Sequence, residues 1–373
     1  MPGRRHRSLL AHSRRCRGAG EPRPDLEIYQ SSSIVFKRRD RNNGAGVTVL
    51  RSCETDTDIT TYSLCGIGIE VKSIDFRATQ LVQSRLRFIP TSPDIHPTVV
   101  FDIRDDQYED FARVPQGKGR PVYDAPNAQI MYYEESDELF IDYLGAIRML
   151  CRPSSGQIQS AIYLEEGRTL AVHPLFTIPL IEVFKRHQRY ALHAACVAIG
   201  DSGLLISGPS GSGKSTLSSA LLRTGFDFLT DDMVFLDGQS NRVWGLPDQI
   251  DMTDFTASMF PETSGLVGHE TLPCRDKHAV DSEYFFGKIP IASCRPVALV
   301  LPQISGEKKS HIEEMSPSLA LRALAPNIFL TEPLSSQAHF DALAQLANEV
   351  PAFSMSTGTD LDDAVANLKA IFA

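Results

Sequence analysis

Residues Gly208-Pro209-Ser210-Gly211-Ser212-Gly213-Lys214-Ser215 spell G-x-x-x-x-G-K-S, and this octapeptide constrains the fold more than any other feature of the chain. The pattern acts only between a strand and a helix. Leu204-Leu205-Ile206-Ser207 in front is a short apolar run suited to a buried strand, and Thr216 to Arg223 behind is rich in Leu and Ala. Strand, glycine loop and helix together predict an α/β fold. Glycines let successive N–H groups turn inward as an anion nest, and the helix N-terminus adds partial positive charge. The expected phosphate contacts are Gly208, Pro209, Ser210, Gly211, Ser212, Gly213, Lys214, Ser215 and Thr216. In such loops the lysine reaches the β- and γ-phosphates and the hydroxyl ligates Mg²⁺, so Lys214 and Ser215 take those parts. A glycine-rich turn that binds nothing is the alternative, and the flanking elements argue against it.

Asp231 and Asp232 follow the next apolar run, Phe226-Asp227-Phe228-Leu229-Thr230. In open α/β sheets the carboxyl ends of strands are where ligands bind. Two acids beside a nucleotide divide the work: one serves the metal ion and the other accepts a proton from an attacking hydroxyl. Taken alone, an Asp pair more often caps a turn; its place one strand after the loop favours chemistry. His193 lies in Ala191-Leu192-His193-Ala194-Ala195-Cys196-Val197-Ala198-Ile199, a small-residue strand feeding the loop strand. Residue type and position leave it equally a core histidine or a partner of an aspartate or phosphate.

Several motifs are missing. The chain has no H-R-D-x-x-x-x-N or D-F-G, no N-K-x-D and no L-S-G-G-Q. These absences weaken the protein-kinase, translational GTPase and transporter readings.

Composition sets the remaining bounds. The chain has 373 residues, 42% hydrophobic and 22% charged, enough for two or three domains. Its net charge of −9 conceals seven arginines against one acid in residues 1–24, so the rest stands near −15. An acidic body argues against nucleic acid as the partner, because phosphate contacts need basic surface. No run is long and apolar enough to span a bilayer. The seven cysteines form no C-x-x-C pair, and reduced thiols in a cytoplasm are the simpler reading.

Along the chain, residues 1–25 read as a disordered basic tail. Residues 26–168 read as a strand-rich region without a catalytic signature, suited to scaffolding or acceptor recognition. Residues 169–373 read as the catalytic domain. Its first element is an amphipathic helix from Pro174 to Tyr190, closed by Lys185, Arg186 and Arg189. Residues 335–373 read as a closing helical region. Lys277 and the acids Asp248, Asp251 and Asp254 are further candidates for phosphate or metal contact; a solvated polar face is the plainer reading of each.

His193-Ala194-Ala195, the run Gly203 to Ser215 and the run Gly225 to Asp232, taken as an ordered set, resemble the catalytic domain of HPr kinase/phosphorylase. The resemblance covers about forty residues. It implies a P-loop kinase domain of the HPr kinase / phosphoenolpyruvate carboxykinase type, using ATP and Mg²⁺ to phosphorylate a serine hydroxyl. On the matching positions Asp231 takes the part of general base, with Asp232 and His193 as its supporting and metal-side partners. The metal set is then Ser215 and Asp232. The downstream signature of the bifunctional enzymes, Glu and Arg beside a glycine, is missing; Val243-Trp244-Gly245-Leu246-Pro247-Asp248-Gln249-Ile250 stands there. The chain is more similar to stand-alone kinases of bacterial ribosomal-peptide clusters, such as those that phosphorylate a lasso peptide precursor. The expected function is an ATP-dependent serine kinase acting on a peptide or small protein, without nucleic-acid or membrane partners and with homo-oligomerisation left open. A small-molecule hydroxyl kinase and a non-catalytic nucleotide-binding regulator are the alternatives.

Overall fold

The structure, a computed structural model, describes residues 58–73, 86–105, 111–123, 128–143, 147–162, 172–269 and 277–372. The basic segment 1–25, the expected boundary near Thr169, and Cys16, Cys53 and Cys274 lie outside them. The fold is mixed α/β, built on two eight-stranded sheets.

The first sheet runs β1 (Asp58–Leu64), β2 (Ile67–Ser73), β3 (Pro97–Asp105), β8 (Gln157–Ile162), β7 (Ile147–Arg152), β6 (Glu138–Tyr143), β5 (Ala128–Tyr133) and β4 (Arg120–Pro121), in that spatial order. The two hairpins read from the sequence are present, with Ile130 opposite Ile141 and Met149 opposite Ser160. Helix α1 (Val172–Arg186) packs on this sheet. Its Phe176, Leu180, Ile181 and Phe184 share one core with Phe101, Tyr132, Leu139 and Ile158 of the sheet and with Phe235 beyond it. The Phe101 and Phe176 rings stack 4.2 Å apart. Residues 54–373 accordingly form one compact unit. Helix α1 stops at Arg186, earlier than its periodicity predicts, because Gln188 takes the left-handed conformation (φ 56°) and Arg189 already starts a strand.

The second sheet is organised by two long strands, β9 (Arg189–Ile199) and β16 (Ser293–Ile304). β9 is buried along nearly its whole length, as a run of Ala, Cys, Leu and Val must be when both faces are covered. It pairs antiparallel with β10 (Ser202–Ser207), with β11 (Asp227–Thr230) and with β12 (Met233–Asp237). β13 (Val243–Gly245) joins β12 to β16, and β10 lies parallel to β16. Close packing at this seam explains Gly203: a Cβ there would lie 2.4 Å from Cys294 Sγ.

One face of this sheet holds α2 (Lys214–Leu222) and α7 (Leu361–Ala370). The other holds α5 (Pro317–Leu324) and α6 (Pro333–Glu349). The C-terminal region is not wholly helical as expected. β18 (Ala352–Thr357) separates α6 from α7 and completes the sheet between β16 and β17 (His311–Met315). A small ribbon, β14 (Ile250–Met252) with β15 (His278–Val280), and the short helices α3 (Asp254–Ser258) and α4 (Ser282–Phe286) flank α2. Among the described residues no helix is long and apolar enough to cross a membrane.

Candidate active site

β10 delivers the chain into the glycine loop. Its last residue, Ser207, donates its hydroxyl to the His193 carbonyl at 3.0 Å, tying loop strand to β9. Gly211 (φ 81°) and Gly213 (φ 99°) hold left-handed conformations that a side chain would strain. Gly213 then starts α2 with no side-chain cap, so the first-turn N–H groups face the loop without a side-chain acceptor. Ser212 is buried, and its hydroxyl has no hydrogen-bond partner among the described residues. Lys214 is folded inward: Nζ donates to the Gly208 carbonyl at 2.8 Å and to that of Pro209 at 3.3 Å. Burial lowers its pKa, against the opposing pull of Asp232 and Asp231.

The Asp pair follows β11 directly, and the two carboxylates go separate ways. Asp231 is 5% exposed. It accepts the Ser215 hydroxyl at 2.7 Å and the Ser218 hydroxyl at 3.1 Å. Burial pushes its pKa up to about 6, reinforced by Asp232 and Asp251 and opposed by the two serine hydroxyls. Asp232 keeps 41% of its side chain exposed, with Oδ1 3.1 Å from His193 Nδ1. That same Nδ1 lies 2.9 Å from the Asp232 carbonyl oxygen. The register of β9 with β12, His193 opposite Met233, brings Asp232 beside the His193 strand, where the Ala194 N–H donates to the Asp232 carbonyl at 3.1 Å.

These groups open into one cleft of about 400 Å³. His193, Ser210, Gly211, Gly213, Lys214, Ser215, Thr216, Asp231 and Asp232 all line it. Gly208, Pro209 and Ser212 form the back of the loop rather than its lining. The far wall was poorly legible in the sequence. Asp248, Gln249, Asp251, Thr253, Phe255, Thr256 and Lys277 stand there, with Ile304 from the end of β16. Asp248 is buried and Asp251 half-buried, not the open polar face expected of them. Asp254 does stay exposed, engaging His278 Nε2 at 2.7 Å. The Thr216 and Thr256 hydroxyls meet at 3.3 Å and join this wall to α2. Among the described residues no three His, Cys, Asp or Glu side chains converge as a metal-holding group. Mg²⁺ is usually held by hydroxyl, water and substrate oxygens together with one or two carboxylates.

No protein-family model matches the sequence, and no curated protein matches it. Among solved structures, the Hpr(Ser) kinase/phosphatase from Coxiella burnetii is similar at 15% identity and a TM-score of 0.25, covering 49% of this chain and 93% of that one. A likeness of that degree carries no functional argument, so the chemistry has to be read from the cleft itself.

Proposed function

We propose that this chain is a Mg²⁺- and ATP-dependent kinase that phosphorylates a serine-type hydroxyl of a peptide or small protein, a lasso peptide precursor being one such acceptor. The observation that carries this reading is the split Asp pair. One carboxylate is fastened to the loop serine, and the next is presented to the cleft beside a histidine. A nucleotide-binding regulator needs the loop but has no use for the second arrangement. The fold reading that goes with it is a P-loop kinase domain of the HPr kinase / phosphoenolpyruvate carboxykinase type.

The residues present suit the substrate and the metal. The uncapped N-terminus of α2 and the open space beside Gly211 form an anion cradle. Ser215 Oγ and the Asp231 carboxylate offer two hard oxygen donors 2.7 Å apart, directly or through water, to Mg²⁺. When bound, the ion would neutralise charge on the transferring phosphoryl group. Geometry therefore favours Asp231 on the metal side and Asp232 as general base, the reverse of the division that the resemblance implies. His193, with its proton on Nδ1, donates to both the carbonyl and the carboxylate of Asp232 and fixes its orientation. In the reaction the acceptor oxygen attacks the γ-phosphorus while its proton passes to Asp232. The bond from the γ-phosphorus to the β,γ-bridging oxygen breaks, and ADP leaves with that electron pair.

The strand-rich front region has the further role of holding the acceptor, since a flexible peptide gains most from being positioned. Its shared core with α1 would hold such a surface in a fixed relation to β9 and His193. A cytoplasmic setting suits ATP use and the buried free thiols of Cys65, Cys151, Cys196 and Cys294. The test is incubation of the full chain with γ-labelled ATP, Mg²⁺ and serine-containing candidate peptides, followed by mass spectrometry of the peptide. Label on a serine, dependent on Mg²⁺, supports the proposal. Tight nucleotide binding without transfer to any peptide or small-molecule hydroxyl would favour a regulator instead.

A further inference from the structure

The far wall of the cleft is mounted on the same helix that starts at the glycine loop. Ile250 and Met252 of β14 and Val280 of β15 are fully buried against Leu217 and Leu221 of α2. His278 is buried too, and the Asp254 carboxylate holds its Nε2 at 2.7 Å. Lys277 immediately precedes these anchors and lines the cleft. Its backbone is thus tied, through His278, to elements packed on α2. Four carboxylates line the same space, Asp231, Asp232, Asp248 and Asp251. Among the described residues, however, the Lys277 amine has neither an ion pair nor a hydrogen bond.

Lys214 and Lys277 face one space, and the charge of Lys277 makes that of Lys214 costlier to hold. Two cations lining one cleft are reconciled by an anion between them. The loop and the N-terminus of α2 surround the middle of a polyphosphate chain. The ribbon lies on the carboxylate side, because the charge of Asp251, on β14, is felt at Asp231. This is the side where phosphoryl transfer takes place in the kinase reading, on which the following rests.

We propose that Lys277 is a second phosphate ligand, which, with Lys214, grips the terminal phosphoryl group of a nucleoside triphosphate in the shared cleft and makes the site prefer triphosphate over diphosphate. Charge on the transferring group spreads over its equatorial oxygens, so a cation there also favours the transition state.

The test uses the full chain and two probes, Mg·ADP and Mg·β,γ-imido-ATP, measured by titration calorimetry. Lys277→Ala is expected to weaken the triphosphate analogue by about tenfold to a hundredfold, the worth of one charge-assisted hydrogen bond. Mg·ADP affinity should stay within about twofold, and Lys277→Arg should restore most of the loss. Lys277→Gln, closer in shape, serves if the alanine variant does not fold. Equal weakening of both nucleotides, or no weakening of either, overturns the proposal, as does a wild-type chain that binds neither. Intact discrimination by Lys277 in a chain that transfers phosphate to no hydroxyl would instead sink the kinase reading and leave this inference standing.

Discussion

Two clusters of charge in this molecule use the same side chains to opposite ends. One lies where α1 meets the first sheet and the start of α6. There Glu182, wholly buried, accepts the Tyr123 hydroxyl at 2.7 Å, the Thr331 hydroxyl at 2.6 Å and Lys185 Nζ at 2.9 Å. Arg186 bridges Asp137 at 2.6 Å and Glu332 at 2.9 Å. Burial pushes the Asp137 and Glu332 carboxyls up, but hydrogen bonds from Ser154 and Ser335, and from Arg186 to both, outweigh it and hold them below their usual range. The other cluster is the cleft. There burial wins at Asp231, which rises to about 6, and Asp232 is left half open to solvent. In the first cluster most charges are taken up by partners and act as mortar, though among the described residues Glu182 Oε2 and Arg186 Nε stay buried without a hydrogen bond. In the second, one carboxylate has its pKa raised and the next is partly exposed to the cleft, an arrangement typical of functional sites.

The largest way to test this contrast is to cut between the regions. A chain starting at residue 169 keeps every proposed catalytic group but loses Phe101, Tyr132, Leu139 and Ile158 from the core of α1. It also strips Tyr123 from Glu182 and Asp137 from Arg186. Such a fragment should fail to fold as a soluble monomer in circular dichroism and gel filtration. A cooperative thermal transition in it would show that the mortar is dispensable.

Next come the cleft groups. Lys214→Ala should abolish turnover and weaken nucleotide binding, since it removes the loop's own cation. Asp232→Asn should lower kcat by about 10²- to 10⁴-fold, the range of general-base contributions, with ATP affinity within a few-fold. Neither change should lower the melting temperature by more than a few degrees. If Asp232→Asn instead loses metal affinity while Asp231→Asn loses only kcat, the two roles return to the division implied by the resemblance.

The mirror experiment is Arg186→Met. It leaves the buried Glu332 and the half-buried Asp137 without their counter-ion, a loss of about 3–5 kcal/mol where a buried pair is broken. Urea unfolding should show that loss, while nucleotide affinity of the remaining folded protein stays within about twofold of wild type by calorimetry. A large change in affinity with little change in stability would place Arg186 among the functional groups.

The contrast also sorts what the sequence could disclose. That the loop, the Asp pair and His193 line one cleft was legible because each sits in a short run whose local pattern, strand then turn, sets its position. The far wall was not. β14 and β15 are three residues each, separated by about 25 residues, too short to show an alternation. Lys277, Asp248 and Asp251 consequently read as surface charge. Lys185 and Arg186 read as helix-end cations for a local reason that is sound. Besides Glu182, three residues before Lys185, their partners Thr331, Asp137 and Glu332 lie 146, 49 and 146 residues away, and no spacing rule reaches that far. β18 was hidden for a related reason: its parallel pairing with β16 is set by tertiary contacts, between two segments that are plainly helical.

The smallest effect is the most diagnostic of a carboxyl whose pKa burial has raised. Asp231 has a folded pKa of about 6 against an ordinary value of 3.8. A carboxyl raised on folding favours the folded state while protonated. Its contribution is full below pH 4 and is lost as pH rises through 6. At pH 8 the ionised group therefore costs the fold up to about 3 kcal/mol relative to a neutral one, at 1.36 kcal/mol per unit. Asp231→Asn cannot ionise and keeps an oxygen that can accept from Ser215 or Ser218. In metal-free buffer it should be more stable than wild type at pH 7–8 by about 1–3 kcal/mol. The advantage should shrink toward zero near pH 4, and added Mg²⁺ should narrow it by stabilising the wild type alone. Urea melts across that pH range with and without Mg²⁺ decide the matter. A variant less stable than wild type at pH 8, or a gap that ignores both proton and metal, would mean that Asp231 belongs with the mortar, its hydrogen bonds to Ser215 and Ser218 serving only to hold α2 against β11.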